Sequence, residues 1–138
     1  MQAVGEIGYG YVRAVQLPFE QALPELEARL KAEGFGVLFQ LDMQAKLKEK
    51  LGIDFPRYVI LGACNPPLAY EALQKEIALG LLLPCNAVVY EKDAEVMVGV
   101  VDAAKMLSLV GNPEMEEMAR RVNEKLRRAV DSVAQAVG

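Results

Sequence analysis

The sequence predicts an α+β domain in two layers, a sheet packed with helices. Three observations carry this. Short β-like runs alternate with helical runs in the order βαβαβαββαα, two consecutive strands read as a hairpin, and the connections are tight with no low-complexity linker. The 138 residues form a single domain, 1–138, without internal repeats and long enough for an independent core.

The first strand is expected from Ile7 to Val15, with Ile7, Tyr9, Tyr11 and Arg13 on one face and Gly8, Gly10, Val12 and Ala14 on the other. Phe19, Ala22, Leu23, Leu26 and Leu30 recur at helical spacing and place a helix from Pro18 to Glu33. Pro24 falls inside it, so the helix either bends there or begins near Ala22. Gly34 stands where a left-handed residue would end the helix, with Phe35 placed for the accompanying hydrophobic contact. A second strand, Gly36 to Leu41, leads to Asp42, a cap for a short helix that turns Met43, Leu47 and Leu51 inward and stops at Gly52. The third strand, Arg57 to Ala63, is apolar on both faces: Tyr58 and Ile60 on one, Val59 and Leu61 on the other. Asn65 reads as the N-cap of the next helix, with Pro66 at its first position, where a missing N–H costs nothing. That helix is expected to reach Ala78 and end near Gly80.

Cys85 to Glu91 and Glu95 to Val101 form the hairpin, turning at Lys92-Asp93-Ala94. A short helix, Ala103 to Leu109, leads to Gly111. The last helix is the clearest element: Asn112 caps it, Pro113 opens it, and Glu114, Glu116 and Glu117 suit the positive end of its dipole. Met115, Met118, Val122, Leu126, Val130, Val133 and Val137 form its apolar stripe. Glu116–Arg120, Glu117–Arg121 and Glu124–Arg128 are spaced as i,i+4 pairs on the wet side.

Hydrophobic residues make up 53% of the chain, a surplus that must be buried within the domain or against a partner. In a two-layer fold one sheet face meets helices and the other meets water, yet the third strand and the hairpin are apolar on both faces. A short helix or another copy of the chain has to cover the second face, and a homodimer is the preferred explanation. A net charge of −4 argues against sequence-independent nucleic-acid binding. The cluster Arg120, Arg121, Lys125, Arg127 and Arg128 reads as a solvated helix face with matching glutamates. The first residues lack the basic start and apolar run of a secretory signal, and no apolar stretch approaches the ~18 residues of a membrane span. With two cysteines and no disulfide framework, the expectation is a cytoplasmic protein with reduced thiols and no membrane partner.

The absence of histidine removes Ser-His-Asp and Cys-His nucleophilic systems and the usual zinc-hydrolase ligand sets. Asp42, Asp54 and Asp102 sit in or beside loops, where capping or turn formation explains each. Gly8-Tyr9-Gly10-Tyr11 lacks the spacing of a nucleotide loop; Tyr9, Tyr11 and Arg13 read as packing or as a ligand shelf. The remaining candidates are two Cys-Asn dipeptides, giving Cys64, Asn65, Cys85 and Asn86 as the expected ligand-binding residues. Cys64 immediately precedes a helix cap, a position whose field favours the thiolate; filling a buried corner is the other reading. If the two strands are neighbours, the sulfurs could support a disulfide or a two-thiolate site. A metal there would need two further ligands, so no metal and no cofactor are expected.

The segments Glu33–Leu38, Leu47–Asp54, Tyr58–Pro66 and Leu82–Glu91, with both Cys-Asn dipeptides, resemble the domain of unknown function 302 family over most of the chain. The resemblance implies a small sandwich with a curved, mostly antiparallel sheet, similar in topology to the TATA-binding-protein-like group, and it brings no reaction with it. The expectation is a self-associating protein with no identifiable reaction that binds a small molecule; the alternative is a thiol-dependent redox or metal-binding protein using Cys64 and Cys85.

Overall fold

The computed structural model describes residues 5–136. Five strands, β1 (Gly10–Val15), β2 (Gly36–Asp42), β3 (Tyr58–Cys64), β4 (Cys85–Lys92) and β5 (Glu95–Val101), form one sheet ordered β1-β5-β4-β3-β2. Every pairing in it is antiparallel. The helices are α1 (Phe19–Ala32), α2 (Met43–Leu51), α3 (Pro66–Lys75), α4 (Ala103–Ser108) and α5 (Glu116–Gln135). This is the α+β sandwich expected, with α1 and α5 packed on each other and on one sheet face.

The strand register shows why that face is dry. Val59, Leu61 and Ala63 lie opposite Val89, Ala87 and Cys85, and Val89 and Ala87 in turn neighbour Val98 and Val100. These side chains form one core with Phe19, Ala22, Leu26 and Leu30 of α1 and Met118, Val122, Leu126, Val130 and Val133 of α5. Each large side chain so buried contributes about 1.5–3 kcal/mol, which makes the α5 stripe the main anchor of the layer. Val137 of that stripe lies outside the described residues.

The opposite face carries three rows of side chains across the strands. One row is Tyr58, Tyr90, Met97 and Ala14; the next is Leu41, Ile60, Val88, Gly99 and Val12; the third includes Phe39, Gly62 and Asn86. Val12 and Met97 are buried yet belong to no part of the helical core. Gly99 lets Val12 and Val88 close over it: an added Cβ would sit 2.8 Å from a Val12 methyl. The Phe39 ring likewise lies on Gly62, its Cε2 2.3 Å from where a Cβ would be.

Local stops follow sequence chemistry. Gly34 (φ 91°) ends α1, and the Phe35 and Gly34 amides donate to Leu30 and Lys31 carbonyls at 2.9 Å each, with Phe35 and Leu30 both buried. Asp42 Oδ1 accepts from the Ala45 amide at 2.9 Å, and Asp102 Oδ1 from the Lys105 amide at 2.9 Å, capping α2 and α4. Asp93 (φ 51°) and Ala94 (φ 64°) both take left-handed conformations in the two-residue hairpin turn, which matches the twist of the strands.

Several expectations are corrected. The first strand begins at Gly10, because Gly8 (φ 87°) turns the chain before it. The first helix starts at Phe19 and runs through Pro24 without restarting at Ala22. Helix α2 buries no residue, and Leu51 is 65% exposed rather than inward. Helix α3 stops at Lys75, where Glu76 becomes extended, and Ile77–Leu82 continues as a 3-10 segment. That change of register buries Leu79 and leaves Ile77 and Leu81 in solvent. On α5 the arginines seek other partners: Arg120 pairs with Glu117 and Glu124, Arg121 reaches Glu71 at 3.9 Å, and Arg128 forks onto Glu33 of α1 at 2.9–3.2 Å. No described helix is long and apolar enough to cross a membrane.

Candidate functional site

An apolar pocket of about 290 Å³ opens where α3 crosses the ends of β3 and β4. Ala63 and Cys85, cross-strand partners, form its floor with Phe35. Leu68, Ala69, Ala72 and Leu73 of α3 make one wall, Met118 and Val122 of α5 another. Leu79, Leu83, Pro84, Met106 and Leu107 close the far side. Leu38 and Gly80 meet solvent at its margins, beside half-exposed Cys64 and Asn65. No charged side chain is among the described residues that line it.

Sequence places these walls for plain reasons. Asn65 Oδ1 accepts from the Leu68 amide at 3.3 Å, which fixes the start of α3 over the strand end. From that start, Leu68, Ala72 and Leu73 fall at helical spacing on the side facing the sheet, with Ala69 beside them. The alanines at 69 and 72 leave space that leucines would fill. Asn65 also abuts Gly34, whose added Cβ would sit 3.0 Å from Asn65 Nδ2, so the stop of α1 and the cap of α3 share one corner.

The four residues expected to bind ligand divide. Cys64, Asn65 and Cys85 line the pocket; Asn86 does not, because strand alternation turns it, exposed, to the opposite face beside Gly62. Burial pushes the Cys85 thiol from an ordinary 9.0 up to about 11, with nearby Cys64 acting in the same direction. It is a protonated wall group at neutral pH. The expected helix field at Cys64 lacks donors to act through. Pro66 and Pro67 have no N–H, Leu68 donates to Asn65 Oδ1, and Ala69 donates to the Asn65 carbonyl at 2.8 Å. Among the described residues no three of His, Cys, Asp and Glu gather as a metal cluster. The redox and metal alternative thus finds no support.

The other candidates have structural work. Tyr11 donates to Asp131 Oδ1 at 2.6 Å and Arg13 to the same oxygen at 2.8 Å, so both face α5, whereas Tyr9 lies outside the strand in solvent. No tyrosine shelf forms. Asp102, the buried charged residue among those described, also accepts from Arg127 at 3.5 Å. Asp54 pairs with Lys48 at 3.0 Å in solvent. What the sequence reading missed is the far wall of the pocket. Its signal is the apolar run Ile77–Pro84, too long for the tail of one amphipathic helix.

The fold and its pocket define an open-faced α+β sandwich with a helix-roofed apolar cavity. The family model for the domain of unknown function DUF302 matches residues 11–133, and the chain belongs to that family. The crystal structure of the uncharacterized conserved protein DUF302 from Bacillus stearothermophilus is similar, with a TM-score of 0.86 and 32% identity, covering 92% of this chain and 99% of that one. No curated protein matches the chain significantly. Neither the family's description nor this relative's names a reaction.

Proposed function

We propose that this protein binds a small, uncharged, largely apolar molecule in the pocket beneath α3. The observation that carries the reading is the size and lining of the cavity. At about 290 Å³ it is roughly twice the ~150 Å³ that accommodates a benzene ring. Left empty and sealed, such a void would cost up to ~7 kcal/mol at ~24 cal/mol per Å³, close to the whole stability of a small domain. Entry of water through the mouth lowers that figure, yet water finds few partners on leucine, methionine and alanine walls. An apolar ligand of about eight to ten carbons removes the cost. A hydroxyl or similar end group stays at the Cys64–Asn65 mouth. The two free thiols further support a reducing, cytoplasmic setting.

Titration with the neutral fluorophore N-phenyl-1-naphthylamine tests this. Wild type should enhance its emission saturably, and 1-decanol should displace it. Ala72→Leu, which fills the cavity from the α3 wall, should bind at least tenfold more weakly while remaining folded by circular dichroism. Equal binding by the two proteins would remove the pocket from consideration.

A further inference from the structure

We infer that the sheet face turned away from α1 and α5 is the contact of a two-fold homodimer, a reading independent of the pocket. Tyr58, Tyr90, Ile60, Val88 and Leu41 crowd its centre, and its three rows hold no charged residue. Phe39, 46% exposed, borders it on β2. Phe55 extends it beyond Tyr58, at a ring separation of 6.1 Å, and Ile7 extends it over Gly10, 3.8 Å from an added Cβ.

Area and shape select the occupant. Five strands spaced about 4.8 Å, with same-face residues about 6.8 Å apart, give roughly 500 Å² in projection. Val12 and Met97 are already buried within one chain and add little, but Phe39, Phe55 and Ile7 at the margins offset them, so two copies bury about 1,000 Å² in total, the lower bound of a specific interface. Two sheets pack face to face about 10 Å apart when their twists match, and a second copy supplies the same twist. A two-fold contact is isologous, so the patch must complement itself. This one does: its interior is neutral, and the hairpin end presents paired opposite charges, Lys92 across from Glu95. β4 is the central strand and Val88 sits in its middle row, which puts Val88 against its own counterpart near the axis.

Light scattering after size exclusion, at tens of micromolar, should give twice the 15.1 kDa of one chain. Val88→Asp places like charges face to face and should weaken association about 30-fold or more. Val88→Cys in a Cys64→Ser background should give a disulfide-linked dimer on treatment with diamide, whereas Cys64→Ser alone should not. A monomeric wild type overturns the inference. So does a dimer that Val88→Asp leaves intact, which would assign the contact elsewhere, such as the free edge of β2. Should Val88→Asp fail to fold, the cross-link decides: its absence in a folded Val88→Cys protein overturns the proposal.

Discussion

Removing the Cys85 sulfur should change how the protein responds to alkali. In the folded chain this thiol lies against the pocket floor, and burial holds its pKa at about 11 against an ordinary 9.0. Between those values the unfolded chain gives up the proton while the native chain keeps it. The native state then binds more protons, so stability is full below about pH 9 and falls as pH rises through about 11. Two pKa units correspond to at most ~2.7 kcal/mol, of which ~2 is lost by pH 11. The assay is urea unfolding at intervals from pH 8 to 11, for wild type and Cys85→Ala. Tyr11 and Tyr90 are also shifted upward, chiefly by burial, and titrate with the same sign, but they are present in both proteins and cancel in the difference. Cys85→Ala carries a constant offset from its lost packing, and its curve should descend less steeply than wild type. Parallel curves would mean that Cys85 meets water in the native protein, and the dry pocket floor would be refuted.

Two substitutions probe the corners that hold the pocket. Gly34→Ala forces a Cβ onto a left-handed residue and against Asn65; it should cost about 1–2 kcal/mol, seen as a lower thermal midpoint, and Gly34→Asn, which accepts the left-handed backbone but carries the same Cβ, should recover only the backbone part of that loss. Asp102→Ala removes the α4 cap and the carboxylate facing Arg127, for about 2 kcal/mol in denaturant unfolding. Asp102→Asn can still cap and should lose less than half of that; equal losses would show that the Arg127 contact dominates.

Local signals in the chain were readable wherever one residue type has one physical use. Asn65 before two prolines, Gly34 before Phe35, and Asp42 and Asp102 ahead of short helices all act as their chemistry demands. The α5 stripe was readable because Met118, Val122, Leu126, Val130 and Val133 all pack on one core. Tertiary partners were not readable. Arg128 had Glu124 within reach on its own helix and instead takes Glu33, which α1 brings alongside. The pocket was half visible. Cys64, Asn65 and Cys85 were found through their sequence neighbours, but Leu79, Met106, Met118 and Val122 come from segments that only the fold brings together. Asn86 shares the repeated dipeptide but not the pocket, because strand alternation sends successive side chains to opposite faces.

Calorimetric titration with primary alcohols of increasing length measures the cavity most directly. If the space between α3, α5 and Cys85 holds the ligand, each added methylene should raise affinity about fourfold, from ~0.8 kcal/mol per buried CH₂. The gain should cease near ten carbons, where about 290 Å³ is filled, and Ala72→Leu should shorten that limit. No measurable heat, or affinity that climbs past twelve carbons unchanged by Ala72→Leu, would contradict a bounded apolar site.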